Sequence, residues 1–328
     1  MIVASRPQNL ARPVVVFVLG FGRSGTSAIA RVLSLCGAAL PSRLLGATPG
    51  NPRGFWEPRE AIHLDEAILR AHGLSGYDVS LAGQDQGVFD VETNSEWIAK
   101  IKAYLTTMPA SPLVVIKEPK MTAFSGLWFE AARQAGYDIA TVIAVRHPQE
   151  VIASLAKRAE RQNYVRHSPE LTSAWWLKYT LLAERATRGV PRVFVEYSNL
   201  LKDWRQEVRR IAVALSIDLS ARDEEAVDQF LTTDLWHHRS NSAVAEPFGL
   251  GWVSTIYRAL GAAARDEPWD ASELDRVYDG YRMSERGFRA AFADCDRYRK
   301  LNWFMPPFLI KLALGLLALI HRRRGTWN

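Results

Sequence analysis

Val14-Val15-Val16-Phe17-Val18-Leu19-Gly20-Phe21-Gly22-Arg23-Ser24-Gly25-Thr26-Ser27, running into an apolar-periodic stretch at 28–36, decides the fold. Six consecutive apolar residues, mostly β-branched, read as a strand buried on both faces, the pattern of a parallel sheet. The glycines after it free the backbone to wrap an anion. The amides that open the following helix add donors and the positive end of its dipole. Gly37 stands where that helix should stop. An ordinary Gly-rich turn is the competing reading, and the order strand, loop, helix favours an anion-holding loop.

Working outward, 113–116, 139–145 and 192–195 read as three more buried strands. Helical patterns at 94–105, 124–135, 149–158, 174–187 and 203–215 separate or follow them. Such alternation predicts an α/β protein of three layers, a central parallel sheet flanked by helices. From 221 to 300 the pattern is mostly helical and polar-faced. The expected organisation is a flexible leader over 1–12, one domain over 13–300, and an apolar-basic helix over 301–328.

The 328 residues are 48% hydrophobic and 23% charged, which places the chain among globular proteins with ample material for a core. Cys36 and Cys295 allow at most one disulfide, so a disulfide-stapled scaffold is excluded. There is no C-x-x-C, and the histidines lack zinc spacing, so no metal is expected; His237-His238 reads as a surface pair. The net charge of +6 is not spread over the chain. From Arg299 onward stand six of the 41 basic residues and none of the 35 acidic ones, which accounts for the whole excess. A basic tail on a neutral body gives no reason to expect nucleic acid. The N-terminal apolar run is too short for a signal peptide, which predicts a cytoplasmic body.

Residues 20–27 have the frame of the P-loop, G-x-x-x-x-G-K-[ST], with Thr26 where the Lys should stand. In P-loop nucleoside triphosphatases that Lys serves the β- and γ-phosphates, and a Walker-B Asp helps hold Mg²⁺. Here 139–145 ends in Arg146-His147-Pro148 instead. A nucleoside triphosphate is poorly served, and Arg23 is placed to reach the anion inside the loop.

Gly22-Arg23-Ser24-Gly25-Thr26-Ser27 resembles the 5′-phosphosulfate loop of sulfotransferases that use 3′-phosphoadenosine 5′-phosphosulfate (PAPS). Val145-Arg146-His147-Pro148 with Val151-Ile152-Ala153-Ser154-Leu155 resembles their second motif. Asn51-Pro52-Arg53-Gly54-Phe55-Trp56-Glu57 and Ile116-Lys117-Glu118-Pro119-Lys120 are similar to segments of bacterial members that act on glycans. Val195-Glu196-Tyr197-Ser198-Asn199-Leu200-Leu201 resembles a later signature.

The resemblance implies a P-loop-like fold. It also implies a donor site formed by Gly22, Arg23, Ser24, Gly25, Thr26 and Ser27, with Arg146 and Ser154 on the 3′-phosphate. Arg239 is the candidate stand-in for a C-terminal basic element of the cytosolic members. Arg23 and Lys117 would stabilise charge on the sulfuryl oxygens and leaving phosphate, and Glu57 stands where some members place a general base. Other members use a His, and only His63, in a predicted helix, follows the loop at a comparable distance. The bland reading of Glu57 is a carboxylate beside a helix N-terminus, with Pro58 in the first turn. Phe55 and Trp56 would offer a sugar a stacking surface.

The implied activity is O-sulfation from PAPS without a metal, on a carbohydrate hydroxyl of a capsule, exopolysaccharide or lipid-linked glycan. A protein tyrosine or small metabolite is the alternative acceptor. A P-loop kinase or a non-catalytic nucleotide-binding protein is the alternative class. Lys157, Arg158, Arg161 and Arg166 read as a solvated helix face, with attraction of an acidic acceptor as the sharper option. Trp175-Trp176 reads as core. The apolar run near 308–320 gives about 20 Å of helix, short of the ~30 Å of a hydrocarbon core. With Arg322, Arg323 and Arg324 behind it, it predicts a peripheral membrane contact through 304–324, packing on protein being the alternative. Nothing in the residues sets an oligomeric state.

Overall fold

In chain order the elements are β1 Val14–Leu19, α1 Thr26–Leu35, α2 Arg59–Ala71, α3 Ala82–Asp85, α4 Ser95–Leu105, β2 Leu113–Lys117, α5 Ser125–Gln134, β3 Asp138–Val145, α6 Pro148–Gln162, α7 Pro169–Ala186, β4 Arg192–Glu196, α8 Tyr197–Lys202, α9 Trp204–Leu215, α10 Glu224–Phe230, α11 Trp252–Ala263, α12 Ala271–Phe304 and α13 Pro307–Arg323. The computed structural model describes residues 12–162, 167–231, 244–304 and 307–323. All four strands are parallel, in the order β2-β1-β3-β4.

The continuous apolar runs form strands because both faces of the sheet are covered. Val16 and Val18 pack with Ile29, Val32 and Leu33 of α1, and their layer continues into α8, α9 and α10. On the other face Phe17 meets Trp128 and Phe129 of α5, with ring centroids 6.2 and 5.5 Å away. This is the expected α/β arrangement, helices on both sides of a parallel sheet.

Register brings the strand ends together. Val18 pairs with Lys117, Leu19 with Ile143, and Val145 with Glu196. The residues that follow each strand therefore emerge along one edge, the carboxyl edge where α/β proteins bind ligands. Two expected helices begin and end elsewhere. α6 runs on to Gln162, and α7 starts at Pro169, where the Ser168 hydroxyl accepts from the Leu171 amide and caps it. The described residues of 221–300 are largely helical, as α10, α11 and α12.

The chain divides into two compact units, Met1–Val277 and Tyr278–Asn328. The sheet lies in the first. In the second, α13 exposes Leu312, Leu314, Leu316, Leu317, Leu319 and Ile320. No helix among the described residues is long and apolar enough to cross a membrane.

Candidate active site

The loop after β1 is shaped by contacts that exclude side chains. Gly20 has φ 122°, and a Cβ there would meet the Ala144 carbonyl of β3 at 3.1 Å. Gly25 has φ 96°, and a Cβ would stand 2.5 Å from the Tyr197 ring. Only glycine serves at both positions. α1 starts at Thr26 with no side-chain cap and no acidic residue in its first turn, so its opening amides remain for a ligand. Arg23, at φ 72°, and Trp56, at φ 58°, hold left-handed backbone despite their side chains. Such positions are stored strain of the kind found at ligand sites.

A cavity of about 400 Å³ opens along the carboxyl edge. Gly22, Arg23, Gly25, Thr26 and Ser27 line it, together with Glu57, Lys117, Arg146 and Ser154. The residues come from the ends of β1, β2 and β3, the start of α1, the turn before α2, and α6, which sequence separates and the fold reunites. Ser24 is buried and is not part of the lining. Arg239 and His237-His238 lie outside the described residues.

The contacts within the site are specific. Arg23 Nε donates to Ser154 Oγ at 3.0 Å, and Arg146 Nη1 to the Arg23 carbonyl at 3.0 Å. Arg146 is further fixed by Glu150, which accepts from its Nε at 2.9 Å, and by the Tyr197 ring 4.5 Å beneath its guanidinium. Lys117, almost fully buried, donates to Glu57, to Ser27 Oγ at 3.3 Å and to the Phe55 carbonyl at 3.3 Å. Glu57 precedes α2, whose N-cap is Pro58, and its carboxylate pairs with Lys117.

Like charges crowd here. Burial first, then the neighbouring Arg158 and Arg146 charges, pull the Arg23 guanidinium down to about 10. A group of cations held apart from water and close to one another is poised for a polyanion. Arrangements of this kind favour reactions in which negative charge builds on a bound group.

Two readings of the residues need correction. Lys157 and Arg158 are not a solvated face; both line the cavity, and Arg158 lies over the Phe55 ring at 5.5 Å. Arg158 stands four residues after Ser154, so helical spacing puts the two on one side of α6. That signal was present in the sequence. Trp56 does not face the cavity. Its ring packs edge-on against Phe230 and under Arg31, leaving Phe55 as the flanking aromatic in the lining. Trp176 is core, whereas Trp175 is buried and also forms part of the wall. Tyr197 and Arg53 were not singled out for the site; both line it, and Arg53 Nη1 also holds the Phe230 carbonyl at the end of α10 at 2.5 Å.

A family model described as "Sulfotransferase family" matches residues 13–221. Among solved structures, the chain is similar to the "Sulfotransferase Domain from the Synechococcus PCC 7002 Olefin Synthase", at 20% identity over 84% of this chain and 97% of that one, with a TM-score of 0.39. It is similar also to the "Sulfotransferase Domain from the Curacin Biosynthetic Pathway", at 13% identity over 79% and 99%, with a TM-score of 0.40. No curated protein matches the chain.

Proposed function

Because the chain belongs to the sulfotransferase family, we propose that it moves a sulfuryl group from PAPS to a hydroxyl of a carbohydrate acceptor. The observation that carries this reading is the gathering of Arg23, Arg146, Ser154 and Lys117 around one cavity beside an uncapped helix start. PAPS bears anionic groups on both its 3′ and 5′ carbons and calls for two anion sites. The loop amides suit the 5′-phosphosulfate, and Arg146 with Ser154 suits the 3′-phosphate. Arg158 adds a third cation beside Arg23.

In the proposed reaction the acceptor oxygen attacks sulfur in line, and the sulfur–oxygen bond to the donor's 5′-phosphate breaks. Glu57 takes the hydroxyl proton, and adenosine 3′,5′-bisphosphate leaves. Lys117 sits between Ser27 of the loop and Glu57. One ammonium thus holds the base in place and lies near the oxygens on which charge develops. Positioning and charge stabilisation carry most of such a transfer.

The body is proposed to work in the cytoplasm, with residues 304–324 making a peripheral contact with an anionic membrane surface. The leucines exposed along α13 and the arginines that end it support this, as does its length, short of a span. A lipid-linked or membrane-borne glycan would be the fitting acceptor.

The test is transfer of labelled sulfate from PAPS to extracted lipid-linked glycans in EDTA. Labelled glycan is expected, and Glu57→Gln should lower kcat by about 10²–10⁴-fold while leaving bisphosphate binding intact. Phosphate transfer from Mg-ATP in place of sulfate transfer would contradict the reading.

A further inference from the structure

One stretch of the cavity wall is built by a loop that α7 holds. Gly76, Tyr77 and Asp78 belong to no helix or strand, yet α7 holds their three successive carbonyls. Tyr179 Oη donates to that of Gly76 at 3.1 Å, Trp175 Nε1 to that of Tyr77 at 2.6 Å, and Lys178 Nζ to that of Asp78 at 2.8 Å. The Lys120 stem lies over Gly76, where a Cβ would stand 2.5 Å from Lys120 Cδ. Lys120 Nζ reaches Glu118 at 2.8 Å and Glu66 at 3.3 Å. Glu118, itself buried, accepts from the Met121 amide at 3.1 Å and lies beside Asp65. Phe21 completes the wall, its ring 6.3 Å from Trp175 and 5.6 Å from Tyr179.

The charge here differs in sign from that around the loop. Asp65 is fully buried against Glu118, and burial together with that second carboxylate pushes its carboxyl well above the usual range. Three carboxyl groups, Asp65, Glu66 and Glu118, thus gather around one ammonium. An anionic acceptor is disfavoured at this wall. A neutral ring with neighbouring hydroxyls suits it: one hydroxyl can donate to Glu66, the next accept from Lys120, and the C–H face lie on aromatic carbon.

We propose that Glu66 and Lys120, with Phe21 and Trp175 behind them, form the acceptor subsite, and that it takes an uncharged sugar bearing adjacent hydroxyls. This rests on the sulfotransfer reading above and adds the charge class of the acceptor.

The experiment measures sulfate transfer from PAPS to methyl β-galactoside, methyl β-glucuronide and phenol, with bisphosphate Kd measured alongside. It uses the full chain and the variants Glu66→Gln, Lys120→Met and Gly76→Ala, the last displacing the Lys120 stem without removing its charge. The galactoside should exceed the glucuronide in kcat/KM by at least about tenfold. Each variant should raise the galactoside KM about tenfold, with phenol KM and bisphosphate Kd within about twofold of the parent protein. Preference for the glucuronide, no transfer to either glycoside, or a galactoside KM unmoved in all three variants would overturn the subsite. Loss of bisphosphate affinity in the variants would do so too, since it would make the wall part of the donor site. If the unaltered protein binds no bisphosphate and sulfates nothing, the sulfotransfer reading itself fails. If it sulfates phenol while the galactoside KM stays put, only the subsite does.

Discussion

At the scale of single residues, the site sets a buried cation against like charges on its neighbours. Arg23 is the clearest case. Its lowered pKa means that its charge is a burden to the ligand-free fold below about pH 10, relieved as pH rises through that value. Arg23→Met should therefore stabilise the ligand-free protein by on the order of 1–3 kcal/mol and abolish bisphosphate binding, read by thermal melting and calorimetry. In the parent protein, bisphosphate affinity should fall as pH rises through about 10, when Arg23 gives up its proton. Gly25→Ala should cost on the order of 1–3 kcal/mol, because its Cβ meets Tyr197 in a left-handed backbone; an unchanged melting temperature would contradict this. The residues of the cavity that could be read from the sequence are those whose neighbours in sequence announce them, such as Arg23 in its Gly-rich loop and Arg146 closing a strand. Tyr197 could not be read that way, since its contacts with Gly25 and Arg146 join elements far apart in the chain.

At the scale of elements, parallel register does the assembling. β1, β2 and β3 each deliver a cationic or Gly-rich turn to the same edge because their runs are apolar enough to be buried twice over. Those runs were legible for that reason, since continuous apolar stretches admit few other structures. The six-residue α8 and the start of α7 were not, because they depend on where β4 ends and on one capping serine. Behind the turn that follows β2, the Asp65–Glu118 pair ties α2 to β2, and Trp128 Nε1 donates to Asp65 at 2.9 Å. Burial raises the Asp65 carboxyl above its value in the unfolded chain, so this group's contribution to stability falls as pH rises above the ordinary carboxylate range. Asp65→Asn keeps a donor for Glu118 and an acceptor for Trp128 while removing that penalty. Its melting temperature should match the parent's near pH 4 and exceed it by a few degrees at pH 8; a lower value at pH 8 would contradict a raised Asp65 carboxyl.

At the scale of the whole molecule, charge is partitioned: the balanced body holds the site, and the basic excess lies in the last 30 residues with α13. On the proposed reading, deleting 304–328 moves the protein from the membrane to the soluble fraction without loss of bisphosphate binding, and unchanged fractionation would remove the membrane contact. The central claim concerns the first unit alone: that two anion sites on one sheet edge fit a ribose phosphorylated at both its 3′ and 5′ carbons. It is tested most directly by calorimetry of adenosine 3′,5′-bisphosphate in EDTA against the parent protein and Arg146→Ala. Tight binding without Mg²⁺, weakened about 10–100-fold by the substitution, is the predicted result. Bisphosphate binding that ignores Arg146, or a preference for Mg-ATP over the bisphosphate, would contradict it.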